Sequence, residues 1–401
     1  MIPLPCPAAA AAMTLAALAA AAPNAELPRF VPGPGSPHLA GPMAGRPALG
    51  DVDGDGRLDV VLACGTCCGS PANPESGHVV SFLGDGRGGF ARAAGRPFRV
   101  GPSVRKVALA DFDGDGRLDA AAAEHDTASL TVLIGDGRGG FAPRPGVPSL
   151  DTGTKRRPHT HEIAAADVNR DGRPDLLATL ANDGAIAVLL NEGSARFAPA
   201  PGSPFPAGRH PYDSLSIADL NGDGAPDVVA PDMVGNSIAL LLGDGKGAFS
   251  PAPGSPFPAS GNRPGYAILA DANGDSRLDV IASHDDDPLL TVLLGDGRGG
   301  FAPAPASPVR LPSAVWGIAA ADADGDGKTD LAAVSYSRRA ALLLRGDGLG
   351  GFAPVPDAVP ESGAMPNYAA WGDVDADGSL DLVVSCYGSG DLAVFLSRRA
   401  E

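Results

Sequence analysis

Short apolar runs of Val, Leu, Ile and Ala recur along the chain, each bounded by Gly, Asp or Pro. No stretch keeps a helical period, so the pattern predicts strands joined by turns. The runs come in sets of four. One precedes an aspartate-rich loop (Ile163–Ala166, Ile268–Ala270), one follows it (Val228–Ala230, Val280–Ala282), and a third leads into an Asp-Gly turn (Leu290–Leu294). The fourth starts at a Phe and ends in Pro-rich sequence such as APAPGSPFP. Four antiparallel strands per unit make a propeller blade.

The unit repeats seven times. Its loop, DVDGDGRLD in the first copy, puts Asp51, Asp53, Asp55 and Asp59 at positions 1, 3, 5 and 9. The same positions hold Asp111, Asp113, Asp115 and Asp119 in the second copy, and Asp167, Asn169, Asp171 and Asp175 in the third. They hold Asp219, Asn221, Asp223 and Asp227 in the fourth, and Asp271, Asn273, Asp275 and Asp279 in the fifth. The last two copies carry Asp322, Asp324, Asp326 and Asp330, then Asp373, Asp375, Asp377 and Asp381. Successive loops start 60, 56, 52, 52, 51 and 51 residues apart. Periods of about 50 residues belong to propellers and arrays. The expected fold is all-β: a seven-bladed propeller of four-stranded antiparallel blades over residues 26–401.

A second motif, LGDGRGGF and its variants, ends at Phe90, Phe141, Phe197, Phe249, Phe301 and Phe352. Asp-Gly between apolar runs signals a hairpin, because both residues tolerate positive φ. The Phe lies 22 residues after the loop's last Asp in copies 2 to 6 and 31 after it in copy 1, which carries an insertion around Cys67–Glu75. The seventh copy reaches Glu401 without its Phe, but LPRFVPGPGSPH (Leu27–His38) resembles a fourth strand. Phe30 lies 21 residues before Asp51, as Phe90 does before Asp111 and Phe352 before Asp373. The N-terminal strand is therefore expected to complete the last blade and close the ring, leaving no open edge.

Composition sharpens this picture. Gly (55) and Pro (40) are abundant, and their periodic placement reads as repeated turn chemistry. The formal charge of −17 argues against nucleic acid as a partner. Much of that charge sits in the seven loops. Side-chain oxygens at positions 1, 3, 5 and 9 of a tight Gly-containing loop suit a hard cation, Ca²⁺ above all. The arrangement is like the start of an EF-hand loop, without its twelfth-position Glu or flanking helices. Seven Asx/Gly turns without metal is the alternative, which the sevenfold recurrence disfavours. Up to seven structural Ca²⁺ ions are expected, and they would bring −17 to −3. Ser276 replaces Gly at position 6 of the fifth loop, while Arg170 and Ala376 occupy position 4 of the third and seventh. The fifth site is expected to be the weakest.

Residues 1–25 contain an apolar stretch, Ala8–Ala22, followed by small residues, as in a signal peptide, although no Lys or Arg precedes it. A disordered Ala-rich leader is the alternative. With no other long apolar segment, the expectation is an exported chain without a membrane span, extracellular, at the cell surface or periplasmic, and monomeric.

The alternation of Phe-Gly hairpins with DxDxDGxxD loops from Leu27 to Leu396 resembles the FG-GAP/VCBS repeat family, which includes the propeller of integrin α-subunits. The resemblance implies calcium at the loop joining strands 1 and 2. It also implies extracellular adhesion or ligand binding, mostly without catalysis.

Candidate ligand-binding residues lie at the other end of the blades. Just before the first strands stand Arg105, His161, Tyr212, Asp213, Tyr266, Trp316 and Tyr368, and just after the second strands stand Glu124, His284, Tyr336 and Tyr387. Alignment of the copies sends all five Tyr and all seven His to this face. Such a surface suits a sugar or a peptide. His159, His161, His210, His284 and Glu124 could also build a metal-dependent hydrolytic centre, although no HExxH or GxSxG motif accompanies them. Three functions follow: a non-catalytic module binding an extracellular protein or glycan, a carbohydrate-binding propeller, or an enzyme using the His/Tyr-rich face. The non-catalytic module is the leading expectation. Cys64 and Cys386 occupy equivalent positions in copies 1 and 7, where a disulfide would staple the seam. Cys67 and Cys68 compete for that pairing, and free thiols are the alternative.

Overall fold

The computed structural model describes residues 27–65, 77–94, 97–101, 103–126, 129–144 and 159–398. The proposed leader, Cys6, Cys67 and Cys68 lie outside them. Seven antiparallel sheets follow one another, each with four strands along its main order, and five of them carry an additional two-residue strand against the third. The fifth blade shows the plan. Pro264–Ala270 pairs with Asp279–His284, which pairs with Leu289–Gly295, which pairs with Phe301–Pro303. The Asp loop spans the turn between its first two strands.

The ring closes as the Phe spacing predicts. Arg29–Pro32 forms the fourth strand of the seventh blade, with Phe30 opposite Ser397 on strand Asp391–Arg398. Closure also shows in the packing. There is no single core. Seven apolar layers form, each between two adjacent blades. The seam layer joins Val60, Leu62 and Phe82 of the first blade to Val383, Val394 and Leu396 of the seventh.

Two expectations change. Asp-Gly does not form a two-residue turn with two positive φ values. Gly86 (φ 68°) and Gly88 (φ 80°) are the left-handed residues, and Asp85 is not. Its side chain instead accepts the Arg87 and Gly89 N–H groups at 2.8 and 2.9 Å. The Cys64–Cys386 staple is also corrected, because both thiols are free and buried. Cys64 packs into the layer between blades 7 and 1, and Cys386 into the layer between blades 6 and 7. Their equivalence is the reason. The rotation relating the blades turns both side chains the same way, one whole interface apart.

Among the described residues, no helix is long and apolar enough to cross a membrane.

Candidate functional site

In all seven Asp loops the first Asp accepts the position-6 N–H, and in five it also accepts the position-4 N–H. The first Asp caps the turn: Asp111 Oδ1 accepts from Gly114 N at 2.7 Å, and its Oδ2 accepts from Gly116 N at 2.8 Å. The ninth-position Asp works differently. One of its oxygens accepts the N–H of loop position 2 at 2.8–3.2 Å. The other accepts an N–H from the end of the third strand at 2.7–2.9 Å. All seven of these carboxylates are at most 1 % exposed. Burial pushes those of Asp119, Asp175, Asp330 and Asp381 up to about 6. Each therefore latches a loop to the third strand of its own blade, a role its sequence position did not reveal.

Positions 1, 3 and 5 are the more open ligand positions, except for the buried Asp324. In four loops, three carboxylates bring an oxygen each within 4.8 Å of one another, as Asp51, Asp53 and Asp59 do. In the other three, the Asn at position 3 spends its amide on the fifth-position Asp, as Asn169 does on Asp171 at 2.9 Å. Basic residues at position 7 also reach that Asp, including Arg57 to Asp55 and Lys328 to Asp326. These donors are hard oxygens and fit Ca²⁺ chemically. The backbone strain expected of the fifth loop alone is in fact shared. Ser276 (φ 65°), Arg170 (φ 60°) and Ala376 (φ 59°) are all left-handed, a conformation costing a non-Gly residue about 1–2 kcal/mol.

The opposite ends of the blades meet in a cavity of about 380 Å³. Of the predicted residues, Arg105, His161, Tyr212, Trp316, Tyr336, Tyr368 and Tyr387 line it, joined by His125, His159, Asn367 and others. Trp316 and Tyr336 stack with ring centroids 5.6 Å apart, and the Arg105 guanidinium lies over the Tyr387 ring at 6.0 Å.

A buried ionic floor underlies the rings. Glu162 accepts from Arg46 at 2.9 Å and pairs with Lys106 at 3.4 Å, while Lys106 also pairs with Asp213 at 3.1 Å. Asp213 Oδ2 takes the Trp316 indole N–H at 2.7 Å and the Tyr368 hydroxyl. Tyr266 receives an Arg46 N–H at 3.2 Å, and Lys106 Nζ sits 4.0 Å from the Tyr368 ring centre. These seven side chains come one from each blade and tie the blades across the axis. Asp213 and Tyr266 thus belong to the floor, not to the lining.

Two predicted residues lie elsewhere. His284 is fully buried between the Asn262 carbonyl at 2.8 Å and the Thr291 hydroxyl at 2.9 Å. Glu124 is buried where a side chain at Gly101 would otherwise sit. Nor do all seven histidines share the cavity face. His38 packs on Phe82 and Phe90 with centroids 6.1 and 5.9 Å away. Four histidines do gather there, His125, His159, His161 and His210, with centroid separations of 4.0–6.3 Å. Burial, then the neighbouring imidazoles, pulls His159 down to about 4 and His161 well below its ordinary value. His125, which sequence reasoning did not single out, directly follows the second strand of its blade, Asp119–Glu124.

The family described as FG-GAP-like repeat matches residues 51–122, 111–178, 167–230, 271–333 and 324–384, well over half of the chain. No curated protein matches. Among solved structures, an Agrocybe aegerita lectin, described as recognising non-reducing terminal N-acetylglucosamine, is 20% identical (TM-score 0.54; 86% of each chain covered). A Burkholderia pseudomallei lectin is 18% identical (TM-score 0.57; 90% of this chain and 97% of that one). A putative 6-phosphogluconolactonase from Bacteroides uniformis is 15% identical (TM-score 0.60; 86% and 95%). At these identities the likeness is one of fold.

Proposed function

Because the chain belongs to the FG-GAP-like repeat family, we propose that it is an exported, calcium-stabilised propeller acting as a non-catalytic binding module, with a glycan held in the axial cavity. The observation that carries this reading is the lining. Four tyrosines and a tryptophan surround a space of about 380 Å³ together with Arg105 and Asn367. That volume lies in the range of small-ligand sites, which combine aromatic walls with a few placed polar groups. Flat rings suit the C–H face of a sugar, and the guanidinium, amide and phenol groups suit its hydroxyls. Among the described residues no carboxylate lines the cavity, whereas glycoside hydrolysis ordinarily needs two. Two lectins share the fold, which supports the reading. Ca²⁺ would be held by loop positions 1, 3, 5 and 9, tying the first two strands of each blade.

A glycan array probed with the calcium-loaded protein tests this. Selective binding that Tyr336→Ala removes is expected. A folded, calcium-loaded protein that binds no glycan overturns the assignment. N-terminal sequencing of the cell-exported protein checks the leader: cleavage near residue 25 is expected, and an intact N-terminus contradicts it.

A further inference from the structure

Three of the cavity histidines are closer than a binding surface requires. His125, His159 and His161 each offer a ring nitrogen, and the three donor atoms lie within 4.8 Å of one another. Nitrogens on a single zinc ion at about 2.0–2.1 Å stand about 3.4 Å apart in tetrahedral geometry, so the triad needs to close by at most about 1.4 Å. The backbone holds the three together. Thr160 N donates to the His125 carbonyl at 3.1 Å, and Ala181 N donates to the His159 carbonyl at 2.9 Å. His161 N donates to the Thr179 hydroxyl at 3.0 Å.

Two further observations point to a ligand. First, His161 is 3% exposed, and its Nε2 is buried without a hydrogen-bond partner. A buried polar atom left unpaired is destabilising, and a metal bond would satisfy it. Second, His125 Nδ1 lies 2.9 Å from Asp126 Oδ1. In the tautomer that donates from Nδ1 to this carboxylate, Nε2 carries the lone pair. This carboxylate–histidine arrangement is the usual support behind a metal-bound imidazole.

We propose that His125, His159 and His161 form a binding site for a divalent transition metal of the zinc class, with its remaining coordination position open to the cavity. Imidazole donors select such metals over calcium, which takes oxygen ligands. The site is therefore chemically separate from the seven Asp loops. It stands on the triad's geometry and does not depend on the glycan assignment. An ion there would give the cavity a Lewis-acidic point for an oxygen donor of the bound ligand.

The test titrates ZnCl₂ into full-length protein stripped of metal and then saturated with calcium, which occupies the oxygen-donor loops. One zinc per chain with micromolar or tighter affinity is expected. His159→Gln, at a half-buried position, should weaken it at least 100-fold while the melting temperature in calcium stays unchanged. Co²⁺ added to the unmodified protein should give the visible absorption of a four-coordinate nitrogen site, a readout that needs no variant. Zinc binding weaker than about 100 μM, binding unaffected by His159→Gln, or a six-coordinate cobalt spectrum each overturns the proposal. Loss of glycan binding leaves it untouched.

Discussion

Replacing Asp279 with alanine isolates the latch from any metal. Both Asp279 oxygens accept backbone N–H groups, from Ala272 and Gly295, each at 2.8 Å. The side chain is fully buried, so no water replaces the lost acceptor. Each orphaned donor costs about 1–3 kcal/mol, so Asp279→Ala should lose about 2–6 kcal/mol. Asp279→Asn should lose about half of that, because one amide oxygen can serve only one of two opposed donors. Asp275→Ala is the control. Asp275 is exposed and accepts from Arg277 N at 2.9 Å and from the Asn273 amide at 3.1 Å. Without calcium it should lose less than about 1 kcal/mol. Urea unfolding in excess chelator, followed by tryptophan fluorescence, measures all three. If Asp279→Ala loses no more than Asp275→Ala there, the ninth-position Asp is only a ligand and the latch is wrong.

Glu162→Ala should cost up to about 3–5 kcal/mol, seen as a large drop in melting temperature, because it removes the carboxylate shared by half-buried Arg46 and buried Lys106 and leaves Lys106 with Asp213 only. An unchanged melting temperature would show that the floor does not tie the blades. Deleting Arg29–Pro32 exposes the edge of strand Asp391–Arg398 and removes Phe30 from its layer. Light scattering should then report association, and a monodisperse monomer would contradict closure by this strand. Calcium titration of chelator-treated protein should find at least five sites and raise the melting temperature. Fewer sites, or no thermal effect, would refute the loop assignment.

The ring was legible because its signals are local and repeated. The spacing of Phe30 to Asp51 matched that of Phe90 to Asp111, and with the likeness of Leu27–His38 to a fourth strand this placed the closing strand. What stayed hidden depends on how neighbouring blades are rotated. His125 leaves one blade as His159 and His161 enter the next, and their meeting follows from a blade angle that no motif encodes. The misplaced disulfide has the same cause, since equivalent positions seemed adjacent when a whole interface divides them. The ninth Asp hid for a different reason. A loop carboxylate that also latches the third strand looks identical in a repeat to one that does not, and only its burial and its two backbone hydrogen bonds tell them apart. His284 reads like its cavity counterparts in the alignment, yet Asn262 and Thr291 hold both of its nitrogens.

The central claim divides the molecule: the Asp loops hold the fold, and the axial cavity holds the specificity. Calorimetric titration of the best array glycan into Tyr336→Ala and Asp275→Asn, both in saturating calcium, tests it most directly. The account predicts at least a tenfold weaker affinity for Tyr336→Ala with its calcium stoichiometry intact. It predicts unchanged affinity for Asp275→Asn, which binds less calcium and melts lower. Glycan affinity that follows Asp275 and ignores Tyr336 would contradict it.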